Sequence, residues 1–175
     1  MSVRVRGEAA VRAALIDAAA ELFAARGVSS VSVREIAEKA GVNHGLVHHY
    51  FASKDGLLSA VLVDLARRTA DEVDNDAALY AAGDAAEQHG RIVASLLLEA
   101  RELATVQTEF PTISALIARL EADGRPDARE RAAQAAAFVL GWKLYEPFLV
   151  EAAQLPVDEK NRKSILDRAL ARLLD

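Results

Sequence analysis

Apolar residues recur at helical spacing along most of this chain, and the polar or glycine-bearing breaks between the stripes are short. Val11, Leu15, Ala18, Leu22 and Phe23 line one side of a helix over residues 8–26, which Gly27 closes. Leu57, Leu58, Val61, Leu62 and Leu65 stripe another over residues 54–73, capped at its start by Ser53. The alanine-rich run 74–90, broken by Gly83 and Gly90, reads as a helix end, a loop and a new start. From there a long helix over 84–108 is expected, carrying Ile92, Val93, Leu96, Leu97, Ala100, Leu103 and Ala104. Pro111 opens the next helix and Gly124 closes it, with Ile113, Leu116, Ile117 and Leu120 facing inward. A segment from Arg125 to about Ala153 follows. Pro147 lacks a backbone donor, so a kink near residues 143–146, or two abutting helices, is expected there. Beyond Pro156 a last helix over 158–174 carries Ile165, Leu166, Ala169, Leu170 and Leu173. Few stretches look like strands, and the predicted class is all-α.

One stretch departs from plain amphipathic packing. Ser32 and Glu35 form a capping box that starts a helix at Val33, and Gly41 stops it after Val33, Ile36, Ala37 and Ala40. Val42 can plug the turn, and Asn43 can cap a second helix over residues 44–51. Two helices joined through three residues are a helix-turn-helix, whose second helix enters the major groove of DNA. A rotation of about 100° per residue sorts that second helix into two faces. Leu46, Val47, Tyr50 and Phe51 fall on one; His44, Gly45, His48 and His49 fall on the other. The second face holds three imidazoles that can serve base edges or phosphates, and Gly45 permits close backbone approach.

These residues carry a family likeness. RGV at 26–28, VREIAEKAGV at 33–42, Gly45 and the YF-x-SK run at 50–54 resemble the DNA-binding domain of TetR-type (tetracycline-repressor-like) transcriptional regulators. The likeness covers the first third of the chain and fades beyond Lys54 to helical lengths. It implies a DNA-binding domain over 1–54 and a helical effector-binding and dimerisation domain over 55–175. It also implies that Arg34 reaches a base or phosphate, and that Asn43, His44, Gly45, Leu46, His48 and His49 lie in or beside the groove. Tyr50 and Lys54 would hold phosphates. Such proteins commonly have serine in place of Asn43 and tyrosine in place of His48, which leaves His48 to stand in for the usual hydroxyl.

Composition changes this picture little. The net charge of −5 argues against DNA only until it is divided: residues 1–54 hold seven Lys/Arg against five Asp/Glu (+2), the rest fourteen against twenty-one (−7). Local contacts and salt set phosphate affinity, not the global balance. Arg4 and Arg6 could form a short basic arm, although terminal tails of this kind more often carry no structure. The chain has no cysteine, so no disulfide scaffold or thiolate metal site is available. His44 and His48 sit one turn apart, but no carboxylate completes a metal set on that face; no metal or cofactor is expected. With no apolar signal core and no membrane-length segment, a cytoplasmic protein without membrane contact is expected.

The last two helices could pair with a second copy in a four-helix interface, giving a homodimer suited to a palindromic operator, or could close only the monomer's own core. The family likeness favours the dimer and a repressor, and the apolar bias of the candidate lining residues favours a small hydrophobic or aromatic effector. Leu97, Arg101, Phe110, Trp142, Tyr145 and Phe148 are the candidate effector contacts. The alternatives are a helical protein-interaction bundle and, least, an enzyme; no nucleotide-binding glycine loop, nucleophile elbow or zinc-protease motif is present.

Overall fold

The computed structural model of the chain describes residues 7–74, 84–156 and 159–174. Eight α-helices lie within them, with no strand among the described residues: α1 (Glu8–Arg26), α2 (Val33–Lys39), α3 (Gly45–Phe51), α4 (Lys54–Asp74), α5 (Asp84–Leu98), α6 (Pro111–Ala122), α7 (Ala128–Ala152) and α8 (Glu159–Leu174). The proposed basic arm at Arg4 and Arg6, the loop after residue 74 and the first residue of the last helix, Asp158, fall outside the described residues.

The chain divides into two compact units. One comprises residues 1–66 with 91–109, the other residues 67–90 with 110–175. A boundary at residue 54 follows the DNA motif, whereas packing adds the first turns of α4 and the stretch 91–109 to the three helices of that motif.

In the first unit most of the stripe positions predicted on α1 to α4 are buried, Leu22 being half-buried. Leu15 and Phe23 of α1, Ile36 of α2, Val47 of α3 and Leu57, Leu58, Val61 and Leu62 of α4 have no accessible surface. Val28 and Val31, in the turn between α1 and α2, are buried with them. Short helices of seven residues are not stable alone, so this shared core is what holds α2 and α3 in shape. In the second unit the core is Leu116 and Leu120 of α6, Ala128, Ala132 and Ala135 of α7, and Leu166 and Leu170 of α8. The three alanines, spaced for one face of α7, let its neighbours come close. Phe138 and Trp142 pack at the margin, stacked with centroids 6.3 Å apart.

Two expectations are corrected. The long helix over 84–108 ends at Leu98 and is followed by a separate 3-10 turn, Leu103–Thr105. Ala100 takes a left-handed φ of 54°, and the Arg101 and Ala100 N–H groups bond back to the Leu96 and Leu97 carbonyls. That is the same closure that Gly41 gives α2 at φ 68°, where Val42 N–H reaches Ala37 O and Gly41 N–H reaches Glu38 O. Leu103 and Ala104 therefore do not extend the α5 stripe. The second correction is to the two-helix alternative at Pro147: α7 runs through it as one helix from Ala128 to Ala152. A single missing donor costs one rung of the ladder, and the flanking rungs carry the helix past it.

Candidate nucleic-acid interface

The geometry of α2 and α3 is built from the turn outward. At the start of α2 the Ser32 hydroxyl accepts the Glu35 N–H, while the Glu35 carboxylate accepts both the Ser32 N–H at 2.8 Å and its hydroxyl at 2.7 Å. Arg26, the last residue of α1, adds a third donor to that carboxylate at 2.8 Å and also binds the Ser30 carbonyl. The Ser32 backbone bond, the Ser32 hydroxyl and the Arg26 guanidinium together hold Glu35 well below the usual range, at a pKa of about 2. The capping box is thus tied to the end of α1. Lys39 pairs with Glu21 at 2.7 Å further along.

The start of α3 is held by Asn43, whose Oδ1 accepts the Gly45 N–H at 2.8 Å. Its far end is held by Ala52 and α4. Ser53 caps α4 by accepting the Gly56 N–H at 3.0 Å. A Cβ on Gly56 would stand 2.1 Å from the Phe51 carbonyl oxygen, so only glycine lets the first turn of α4 lie this close to the end of α3. Sequence patterning gave no reason to single out Gly56, because its role is a close approach and not a turn. Arg12 of α1 lies 5.3 Å from the centroid of the Phe51 ring, a cation over an aromatic face at the same junction.

What this scaffold leaves outward is polar. Arg34, Asn43, His44, Gly45, His48 and His49 are exposed, Leu46 and Tyr50 are half-buried, and Val47 and Phe51 are buried. Tyr50 has the His49 ring edge-on at 4.8 Å. Lys54 is turned differently. Its ammonium donates to the Val28 carbonyl at 2.5 Å and lies 5.9 Å from the Phe23 ring centroid. Burial, and then the charge of Arg101, push its pKa down. Lys54 therefore braces the start of α4 against the turn between α1 and α2.

The six candidate effector contacts are divided between the units. Leu97 and Arg101 belong to the first, where Arg101 pairs with Asp55 at 2.9 Å and Leu97 is exposed. Phe110, Trp142, Tyr145 and Phe148 belong to the second; Trp142 is half-buried against Phe138 and the other three are exposed. Sequence reading also missed the link made by Glu99, which accepts the Ser29 hydroxyl at 2.5 Å and ties the end of α5 to the turn between α1 and α2, while Arg101 ties it to the first turn of α4. The link spans 70 residues of sequence, so no local pattern announces it. Among the described residues no three metal-ligating side chains lie together, and no helix is long and apolar enough to cross a membrane.

A tight pair of short helices, supported by a third and presenting a polar outer face on the second, defines a helix-turn-helix DNA-binding regulator. Residues 15–61 match the bacterial regulatory proteins of the tetR family. Over 174 residues, 97% of this chain and 92% of the relative, it is 37% identical to the HTH-type transcriptional repressor Rv3405c of Mycobacterium tuberculosis. Among solved structures it is similar to a transcriptional regulator from Rhodococcus sp. Rha1, at 26% identity and a TM-score of 0.66, covering 93% of this chain and 95% of that one. It is also similar to the multidrug binding protein EbrR complexed with ethidium, at 25% identity and a TM-score of 0.61, covering 94% and 99%. The chain belongs to the tetR family and is a DNA-binding transcriptional regulator.

Proposed function

We propose that the chain is a cytoplasmic repressor that binds a palindromic operator as a homodimer and is released by a small apolar or aromatic effector. The single observation that carries the reading head is the outer face of α3 with the two residues before it: Asn43, His44, Gly45, His48 and His49 are all exposed, and none of their side chains is used in the core. In this reading His44, His48, His49, Asn43 and Leu46 face the groove, Gly45 allows close approach, and Arg34 and Tyr50 hold base or phosphate oxygens. Lys54 acts as a positioning residue through Val28.

The dimer is supported by α7. Leu140, Leu144, Tyr145 and Phe148 form an exposed apolar row on a helix whose opposite side is already packed. A twofold assembly through α7 and α8 would cover it and would match two half-sites about one helical turn apart. The effector is supported by the exposed aromatics Phe110, Tyr145 and Phe148 and by the ethidium carried by EbrR.

Gel shifts with sheared genomic DNA at rising salt test the first part: binding should weaken steadily as salt displaces phosphate contacts. His44→Ala and His49→Ala should then weaken binding to selected fragments more than to random DNA. Equal losses on both would mean that the imidazole face touches only backbone.

A further inference from the structure

Two polar side chains of the α3 face are held by the helix's own backbone, and those bonds decide what each has left to offer. Asn43 Oδ1 accepts the Gly45 N–H. A backbone N–H only donates, so the amide is oriented with its oxygen toward the helix and its NH2, which only donates, as the group turned away. At the other end His48 Nδ1 stands 3.1 Å from the Ala52 carbonyl oxygen. That oxygen only accepts, so Nδ1 carries the proton and Nε2 of the neutral ring is a bare acceptor. The Ala52 carbonyl is itself well fixed. Ala52 takes a φ of 60°, and its N–H donates back to the His48 carbonyl at 3.0 Å. Among the described residues His44 and His49 have no hydrogen bond of this kind, so their ring nitrogens remain interchangeable.

In the major groove guanine offers two acceptors and thymine one, whereas only adenine N6 and cytosine N4 donate. Phosphate oxygens only accept. A neutral ring with Nε2 bare is therefore matched to an exocyclic amine and mismatched to every other polar group within its reach. The geometry points to His48 as a specificity-determining residue that accepts a hydrogen bond from the amine of an adenine or cytosine, with Asn43 as a donor to a base or phosphate acceptor beside it. This rests on the operator-reading function above and adds its polarity. A tyrosine hydroxyl at position 48 would serve either way, since it both donates and accepts. The histidine narrows the choice.

Duplexes selected for tight binding by the full chain can be resynthesised with single amines removed, purine replacing adenine and 2-pyrimidinone replacing cytosine. At one position in each half-site, removal should weaken the unaltered protein about tenfold and leave His48→Ala unchanged. Nitrogen-15 spectra of His48 in the free protein, recorded where the ring is neutral, should place the proton on Nδ1. A proton on Nε2 overturns the inference. So does His48-dependent sensitivity to 7-deazaguanine or to a methylphosphonate with no response to any missing amine, because those contacts need a donor. Either result with specific binding intact sinks the polarity alone; failure to bind any duplex sinks the operator-reading function with it.

Discussion

Phe23 in the first unit has no accessible surface, whereas Phe148 in the second is 67% exposed. The contrast extends to their neighbours. The stripes of α1, α2, α3 and the first turns of α4 are spent on one core, and among the described residues of that unit only Leu97 and Leu98 at the end of α5 leave large apolar side chains open. In the second unit Leu140, Leu144, Tyr145 and Phe148 stay open along α7. A helix apolar on all sides needs cover on all sides, and α6 and α8 supply it on one. The first unit thus finishes its packing within one chain and turns polar groups outward. The second turns apolar groups outward, and that is the surface a second copy would complete.

The sharpest way to break the contrast is to empty the first core. Phe23→Ala should cost about 3–5 kcal/mol of unfolding free energy, read by denaturant titration, and should abolish DNA binding without altering any group on α3. On the other side, Leu144→Glu with Phe148→Glu should leave helicity by circular dichroism nearly unchanged and turn a dimer into a monomer in sedimentation velocity. An association loss of at least about 2 kcal/mol is expected for anchors of this kind. A wild-type chain that sediments as a monomer at micromolar concentration would remove the dimer from the comparison. Gly56→Ala should cost about 1–3 kcal/mol, since a Cβ there meets the Phe51 carbonyl, and should weaken operator binding by shifting α3 against α4. The smallest effect is one of pH. Glu35 has its folded pKa lowered from 4.5 to about 2, so its contribution is complete above pH 4.5 and is lost as pH falls towards 2. Glu35→Gln should flatten that acid limb of the stability curve, and an unchanged limb would assign the acid sensitivity elsewhere.

The head was legible because its signals are local. Ser32 and Glu35 stand three residues apart and bond as a capping box; Gly41 ends α2; Ser53 caps α4; the apolar and polar faces of α3 separate as a rotation of about 100° per residue requires. The candidate contacts were less uniform. Lys54 belongs to the same motif as Tyr50, yet its ammonium is drawn to the Val28 carbonyl, a partner 26 residues away. No local pattern shows what the effector candidates touch: Arg101 is bound by Asp55, 46 residues away.

The sequence by itself determined the helical class, the start and stop of most helices and the polar face of α3, because each depends on neighbours within about one or two turns. The end of α5 was decided elsewhere. Ala100 has no intrinsic bias to the left-handed conformation that closes the helix, and the turn it makes carries Glu99 to Ser29 and Arg101 to Asp55. Gln154 ends α7 in the same way at φ 49°. Long-range bonds and close approaches such as Gly56 on Phe51 come into being only when distant segments meet, so tertiary structure alone could set them.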